Sequence, residues 1–345
     1  MKAKHKIRLY RNICYMIIIT FILAQMAFMV GCGVKENVKI APEHVFVYAE
    51  NQPEDYPATQ AANYFAQLVR ERSNGRIEIL VQSNGQMGDE DSVITQMGFG
   101  GVDFTRVSLS TLANDIPELN VLMMPYLYSS EEAMWKVLEG EIGAKFTEAV
   151  SQKGKGIRAL SWYDAGARSF YSIQPIKKME DLKGLNIRVQ QSGVMADMVS
   201  LLGANPVKMI YSEVNHGLQT GVIDGAENNW SSYEFSGNYE MAGYCLVDEH
   251  TRIPELQLIS ENAWNQLTTS DQTLVSECAM ESANYEKTLW KEIEEQARKE
   301  VEAAGVVITE ISEEEKLHFQ DMMQQLYYKY CLEDMELIQE IRKVR

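Results

Sequence analysis

Gly184-Leu185-Asn186-Ile187-Arg188-Val189, followed by Ser192–Leu202 and then Gly203, is the stretch on which the fold turns. The first segment reads as a strand and the second as a helix, with Gly203 a residue that commonly ends one. A second helix, Ser212–Gln219, runs up to Gly221. Ile223-Asp224-Gly225-Ala226-Glu227-Asn228 then reads as a strand end entering a loop. Strand, helix, helix and strand in succession predict an α/β protein with mixed or parallel sheets.

The same alternation extends outward. Upstream, His44–Tyr48 alternates as a strand, and Tyr56–Ser73 carries Ala61, Ala62, Tyr64, Phe65, Leu68 and Val69 at helical spacing. Asn74-Gly75 ends that helix, and Arg76–Gln82 is a second strand. After a loop at Ser83–Gly88, a helix at Asp89–Gly98 leads through Gly100–Phe104 into a third strand. Helices follow at Ser129–Leu138 and Ile142–Lys153, then strands at Gly156–Trp162 and Ser169–Ser172. Downstream, Glu255–Ser260 is a strand, and Ala263–Arg345 is helical apart from one short strand at Gly305–Thr309. There is no repeat of fixed period and no low-complexity segment.

The chain has 345 residues, 49 acidic and 32 basic, for a net charge of −17. A length of this order predicts about two domains, and the acidic balance argues against a nucleic-acid partner. The first 31 residues hold Lys2, Lys4, Lys6, Arg8 and Arg11, no acid, and an apolar run from Ile13 to Val30. That describes a secretory signal, with an uncleaved anchor helix as the alternative. Met29-Val30-Gly31-Cys32 resembles a lipobox, which makes Cys32 the expected lipidation site and 32–43 a tether. Without residues 1–31 the chain keeps 27 basic against 49 acidic side chains, a charge of −22.

Catalytic and metal readings find little support. His5, His44, His216, His250 and His318 are scattered, and no phosphate loop, nucleophile elbow or dinucleotide fingerprint stands in context. Neither a metal nor a cofactor is expected, and no enzymatic activity. Beyond Cys14 and Cys32 the cysteines are Cys245, Cys278 and Cys331. Their odd number and wide spacing predict at least one free thiol, with Cys278 and Cys331 as small hydrophobes on helices. The glutamates at 281–315 alternate with Lys and Arg and predict a solvated helix face, or a face that docks a partner.

Five blocks carry a family resemblance. Asp181–Val189 resembles the signature DLKGLKIRVP of the DctP-type solute-binding subunits of tripartite ATP-independent periplasmic (TRAP) transporters. Leu202-Gly203-Ala204-Asn205-Pro206 resembles LGANPV, Ser212-Glu213-Val214 and Leu218-Gln219-Thr220-Gly221 resemble SEVYTALQTG, and Asp224–Asn228 resembles DGAEN. Gly88-Asp89, Asp103-Phe104-Thr105 and Leu122–Tyr126 also fit, so the likeness spans about residues 44–345. Two departures stand out: Gly217 falls inside a helix, where glycine costs about 1 kcal/mol relative to alanine, and Gln190 replaces a common proline.

The resemblance implies a two-domain α/β clamp of the periplasmic-binding-protein type, with mixed sheets, an interdomain cleft and long C-terminal helices. Domain I is expected at 44–162 with about 254–262, and domain II at 163–253. Helical segments at 263–345 would pack on both. The implied role is reversible binding of a small organic acid outside the cytoplasm and delivery to a TRAP permease driven by an ion gradient. Arg188 is the implied carboxylate anchor. Mounted in a strand, its guanidinium offers a planar fork matching two carboxylate oxygens; without the resemblance it reads equally as an edge-strand surface arginine. Arg168 is the implied second arginine or a structural ion-pair partner, and Asn228 an assisting amide or a turn residue. Tyr211 is the implied ring against the ligand's body or a core residue. Asn51, Glu90, Ser108 and Gln191 fall near the implied cleft, or are solvated loop residues.

Gly100–Ser108, Leu122–Leu127 and Trp162–Tyr171 resemble the branch of the family associated with uronates such as galacturonate and glucuronate. A C4-dicarboxylate, a sialic acid or another sugar acid is the alternative ligand. An anchored sensor or enzyme is the alternative class.

Overall fold

The computed structural model describes residues 41–345. The expected signal segment 1–31, Cys32 and most of the 32–43 tether lie outside the described residues. The chain first alternates β1 (His44–Ala49), α1 (Pro57–Arg72), β2 (Ile77–Gln82), α2 (Glu90–Phe99) and β3 (Phe104–Ser108). The short helix α3 (Leu109–Leu112) and a 3-10 segment at Pro117–Met123 follow. Helices α4 (Glu131–Leu138) and α5 (Glu141–Lys153) then lead to β4 (Ile157–Tyr163). The chain crosses at Asp164–Gly166 to β5 (Ala167–Ser172), β6 (Asn186–Val189), α6 (Gly193–Leu201) and β7 (Asn205–Lys208). It continues through α7 (Val214–Thr220), β8 (Gly225–Asn228), α8 (Trp230–Phe235) and β9 (Tyr244–Arg252). It returns through Ile253-Pro254 into β10 (Glu255–Ser260), then α9 (Glu261–Gln266), α10 (Thr269–Ala303), β11 (Val307–Glu310), α11 (Glu313–Tyr330) and α12 (Met335–Lys343).

Two mixed sheets result, in the orders β2-β1-β3-β10-β4 and β11-β9-β5-β8-β6-β7. β1 pairs in parallel with β2 and β3, whereas β10 runs antiparallel between β3 and β4. In the second sheet β6 is parallel to β7 and β8, and β5 is antiparallel to β8 and β9. The α/β reading with mixed sheets therefore holds.

Local chemistry explains the elements. In α1, Pro57 opens the first turn, where its missing N–H is harmless. Ala58, Ala61, Ala62, Phe65, Leu68 and Val69 recur at helical spacing and are buried. Phe65 meets Phe104 of β3 edge-on at 5.3 Å. Asn74 and Gly75 take left-handed φ of 55° and 80° and end the helix. Helix α10 is 35 residues long, about 50 Å at 1.5 Å per residue. Val275, Cys278, Ala279, Ser282, Ala283, Glu286, Trp290, Ala297 and Val301 form its buried stripe. It packs on α1 and β4 at one sheet and on α8 at the other.

Several elements depart from expectation. Strand β9 was not foreseen: its Asp248 and His250 look like surface residues, yet both are about 1% exposed and paired to each other. Strand β7 was also missed, because Pro206 argues against a strand; it is accommodated on the sheet's edge, where no further ladder bond is required. The helix expected at Ser212–Gln219 starts as a 3-10 turn, Tyr211–Glu213, and continues unbroken as α7. Gly217 is explained by packing, since a Cβ there would lie 3.2 Å from Met209 and Ile223. Cys245, Cys278 and Cys331 are all free and buried. Not all the 281–315 glutamates are solvated: Glu286 is fully buried and Glu294 is half-buried.

Candidate functional site

The carboxyl ends of parallel strands point at one cleft. Asn51 follows β1, Ser108 ends β3, Arg188 lies near the end of β6 and Asn228 ends β8. Ligands of open α/β sheets collect at such ends, where loops and helix starts leave polar groups unpaired. A cavity of about 60 Å³ is lined there by Asn51, Glu90, Arg188, Gln191 and Tyr211, with Gln190 between. The small volume follows from contact across the cleft. Gln190 Nε2 donates to Ser108 Oγ at 3.2 Å, and Asn114 Nδ2 donates to the Gln191 carbonyl at 2.8 Å.

Arg188 is the most telling residue. Its β6 register sets it beside Val207 of β7 and Ala226 of β8, so the backbone holds it from both sides. The residue is 4% exposed, and Nε donates to the Met209 carbonyl at 2.9 Å. Among the described residues no carboxylate lies within ion-pair distance of it. Burial lowers its pKa; the Glu227 carboxylate pulls against this, and the Arg168 cation adds to it. A buried cation without a counter-ion is costly unless an anion completes it.

Arg168 sits on β5, one strand beyond β8, and is differently placed. Glu227 grips it with Oε2 2.5 Å from Nε and Oε1 3.1 Å from Nη2. Asn228 Oδ1 accepts from Nη1 at 2.7 Å. Burial alone would raise the Glu227 carboxyl, but Arg168 and the bond from His250 pull it down to about 2. Burial would lower His250, but Asp248 and Glu227 lift it to about 9. Arg168 is thus already neutralised, and Asn228 orients it. Neither lines the cavity.

The opposite wall is built on Arg106 of β3. Glu50 pairs with it, Nε to Oε2 at 3.2 Å, while Asn51 Oδ1 accepts from Nη2 at 2.7 Å. Glu255 accepts from Nη1 at 3.1 Å and Glu90 at 3.4 Å. Three carboxylates share one guanidinium. Burial, against the pull of Arg106 and with repulsion from Glu90 and Glu50, pushes Glu255 to about 8. Glu90 also accepts from Thr111 Oγ1 at 2.7 Å and from the Ser108 N–H at 3.3 Å. This wall offers carboxylate and amide oxygens, groups that accept from hydroxyls.

The structure therefore brings Arg188, Tyr211, Asn51, Glu90 and Gln191 to one cavity and leaves Arg168, Asn228 and Ser108 out of its lining. Tyr211 is held by its hydroxyl donating to the Ser232 carbonyl at 3.3 Å. Sequence reasoning missed Glu227, Arg106, Glu255 and the cavity-lining Gln190. Signals existed for Arg106, an arginine inside a strand like Arg188, and for Glu227, which falls inside the DGAEN-like block.

A model of the family described as bacterial extracellular solute-binding protein, family 7 (DctP), matches residues 48–334. A solute-binding protein of Chromohalobacter salexigens is 36% identical over 286 residues, 83% of this chain and 84% of its own. Among solved structures, a TRAP periplasmic solute-binding protein of Xanthobacter autotrophicus with bound β-D-galacturonate is similar at a TM-score of 0.83 and 38% identity. It covers 87% of this chain and 100% of its own. One from Pseudomonas putida with bound D-glucuronate has a TM-score of 0.85 and 33% identity, over 87% of this chain and 97% of its own.

Proposed function

This chain belongs to the bacterial extracellular solute-binding protein family 7, and from that premise we propose that it is the receptor of a TRAP transporter for a hexuronate, galacturonate or glucuronate. The observation that carries the reading is Arg188, buried and without a carboxylate partner at the mouth of two parallel strands. The ligand carboxylate supplies the missing anion through the guanidinium fork. Tyr211 packs against the sugar ring, and Glu90 and Asn51 accept from its hydroxyls, with Gln191 at the rim. Arg168 and Asn228 support the anchor from behind, and Ser108 holds Gln190 across the cleft. A hexuronate suits this polarity better than a C4-dicarboxylate, whose second carboxylate would face Glu90, Asp89 and Asp91.

The moving units of the clamp are 44–162 with about 254–262, and 163–253, with 263–345 packed along both. Ligand contacts to both walls favour the closed state. The chain releases its ligand unchanged to the permease and catalyses no reaction. Cys32 carries a lipid that holds the protein at the outer face of the membrane.

Thermal unfolding against a panel of organic acids tests the ligand. A ligand at 100 times its dissociation constant stabilises by about 2.7 kcal/mol. A shift with galacturonate or glucuronate and none with succinate is the expected outcome. A shift with succinate alone would reject the hexuronate and leave the receptor role standing.

A further inference from the structure

A second cavity, of about 420 Å³, lies between the loop 125–130, the end of β9 and the helices α11 and α12. It shares no lining residue with the ligand cleft. Its walls carry Tyr126, Ser130, Arg252, Lys316, Gln320 and Arg342, with Glu249 as the one acidic side chain named among them. Its size falls in the range of small-molecule sites, about 300–1,000 Å³.

Four basic side chains line the cavity, and three of them, Arg252, Lys316 and Arg342, come from three separate elements, in a chain of net charge −17. Among the described residues, neither Lys316 nor Arg342 has a carboxylate within ion-pair distance. Among the described residues, the one carboxylate within ion-pair distance of Arg252 is Glu249, at 4.0 Å. Arg342 is held in place by the face of Tyr327, 4.4 Å from its guanidinium carbon to the ring centroid. The wall is also strained: Tyr126 and Glu249 have left-handed φ of 56° and 46°. Such backbone persists only where its surroundings enforce it. Here the Tyr126 N–H donates to the His250 carbonyl at 2.8 Å, and its hydroxyl to Asp248 at 3.3 Å.

We propose that this cavity is a second binding site, for a free multiply charged oxyanion. The guanidinium forks of Arg252 and Arg342 and the Lys316 ammonium supply charge, while Ser130 and Gln320 supply neutral donors. A multiply charged anion fits better than a single carboxylate, because three cations without full compensation face one space. Glu249, Thr251 and Arg252 of β9 line the site, so occupancy bears on the strand that carries His250.

Calorimetric titration of the full chain with inorganic phosphate, pyrophosphate and citrate, at matched ionic strength, tests this. Saturable binding of at least one of them is expected, weakened about tenfold or more in the Lys316→Gln/Arg342→Gln double variant. Arg188→Ala should leave that binding unchanged, and the double variant should keep its hexuronate affinity. Lys316→Gln alone, at a half-exposed helix position, serves if the double variant does not fold, and a several-fold loss is then expected. The proposal is overturned if wild type binds none of the three anions, if the variants bind them normally, or if Arg188→Ala abolishes the binding. Attachment to phosphatidylglycerol vesicles without binding of any free anion also overturns it.

Discussion

Arg188 and Arg168 stand on the same sheet, and their difference lies in what already compensates each. Glu227 neutralises Arg168; nothing comparable reaches Arg188. Replacing Arg188 by Ala should weaken hexuronate binding by about 2–5 kcal/mol, because the ligand's carboxylate is left unpaired in a desolvated cleft. Arg188→Lys should recover only part of this, since a point charge lacks the fork; near-normal affinity of Arg188→Ala in a calorimetric titration would sink the anchor. The buried groups behind it set the pH dependence of stability. His250, raised from 6.5 to about 9, stabilises the fold fully below its ordinary value, and that contribution is lost as pH rises through about 9. Glu227, depressed from 4.5 to about 2, contributes above its ordinary value and loses that as pH falls through about 2. Glu255, raised from 4.5 to about 8, makes stability decline across that interval. Glu255→Gln should flatten that decline in melting curves taken between about pH 4 and about pH 9; an unchanged slope would remove Glu255 as its source. Arg188 was legible in the sequence as an arginine amid strand residues within a family signature. The pairing of Glu227 was not, because its partner lies 59 residues away in the chain.

Helix α10 ties the two sheets together by carboxylates as well as apolar contacts. Glu286 accepts from the Asp164 N–H at 3.0 Å, on the segment where the chain crosses between sheets. Two turns on, Glu294 accepts from the N–H groups of Trp230 and Ser231 at 2.9 and 3.1 Å, and from Ser231 Oγ at 2.6 Å. These are orphan donors at the start of α8, which a carboxylate satisfies and the helix dipole favours. Burial nonetheless raises Glu294 to about 7. Glu294→Ala should lower stability by about 1–2 kcal/mol, seen in thermal unfolding, while hexuronate affinity changes little. A loss of affinity without loss of stability would instead place Glu294 in the closing mechanism. From composition this helix promised a solvated acidic face, and most of it is one. The exceptions follow from its stripe: Glu286 shares the buried face with Ser282 and Trp290, so its role depends on what that face meets.

The acidic surface has a consequence for the protein as a molecule. An anionic ligand approaches a chain that carries −22 without residues 1–31, so long-range repulsion opposes encounter. Salt screens this within about 8 Å at physiological ionic strength. The association rate for a hexuronate should therefore rise with added salt in stopped-flow fluorescence; a fall would mean that the local field of Arg188 dominates the outer field. Closure should also appear as a smaller radius of gyration in X-ray scattering when the hexuronate is added. An unchanged profile would mean that the walls already touch without ligand, as the Gln190–Ser108 bond allows.

Chain chemistry alone settled the α/β alternation and most helix limits, and it singled out Arg188 as the candidate anchor through a family signature. Each depends on residues close in sequence: periodic apolar positions, Asp89 capping α2, Gly203 after α6. Overall charge also argued against a nucleic-acid partner. Folding decided the rest. It paired Arg168 with Glu227, buried β9 with its charges paired, and gathered Glu50, Glu90 and Glu255 on Arg106. The physical reason is the same in each case: whether a charged side chain is solvated, paired or left waiting for a ligand depends on partners that only long-range packing brings within a few ångströms.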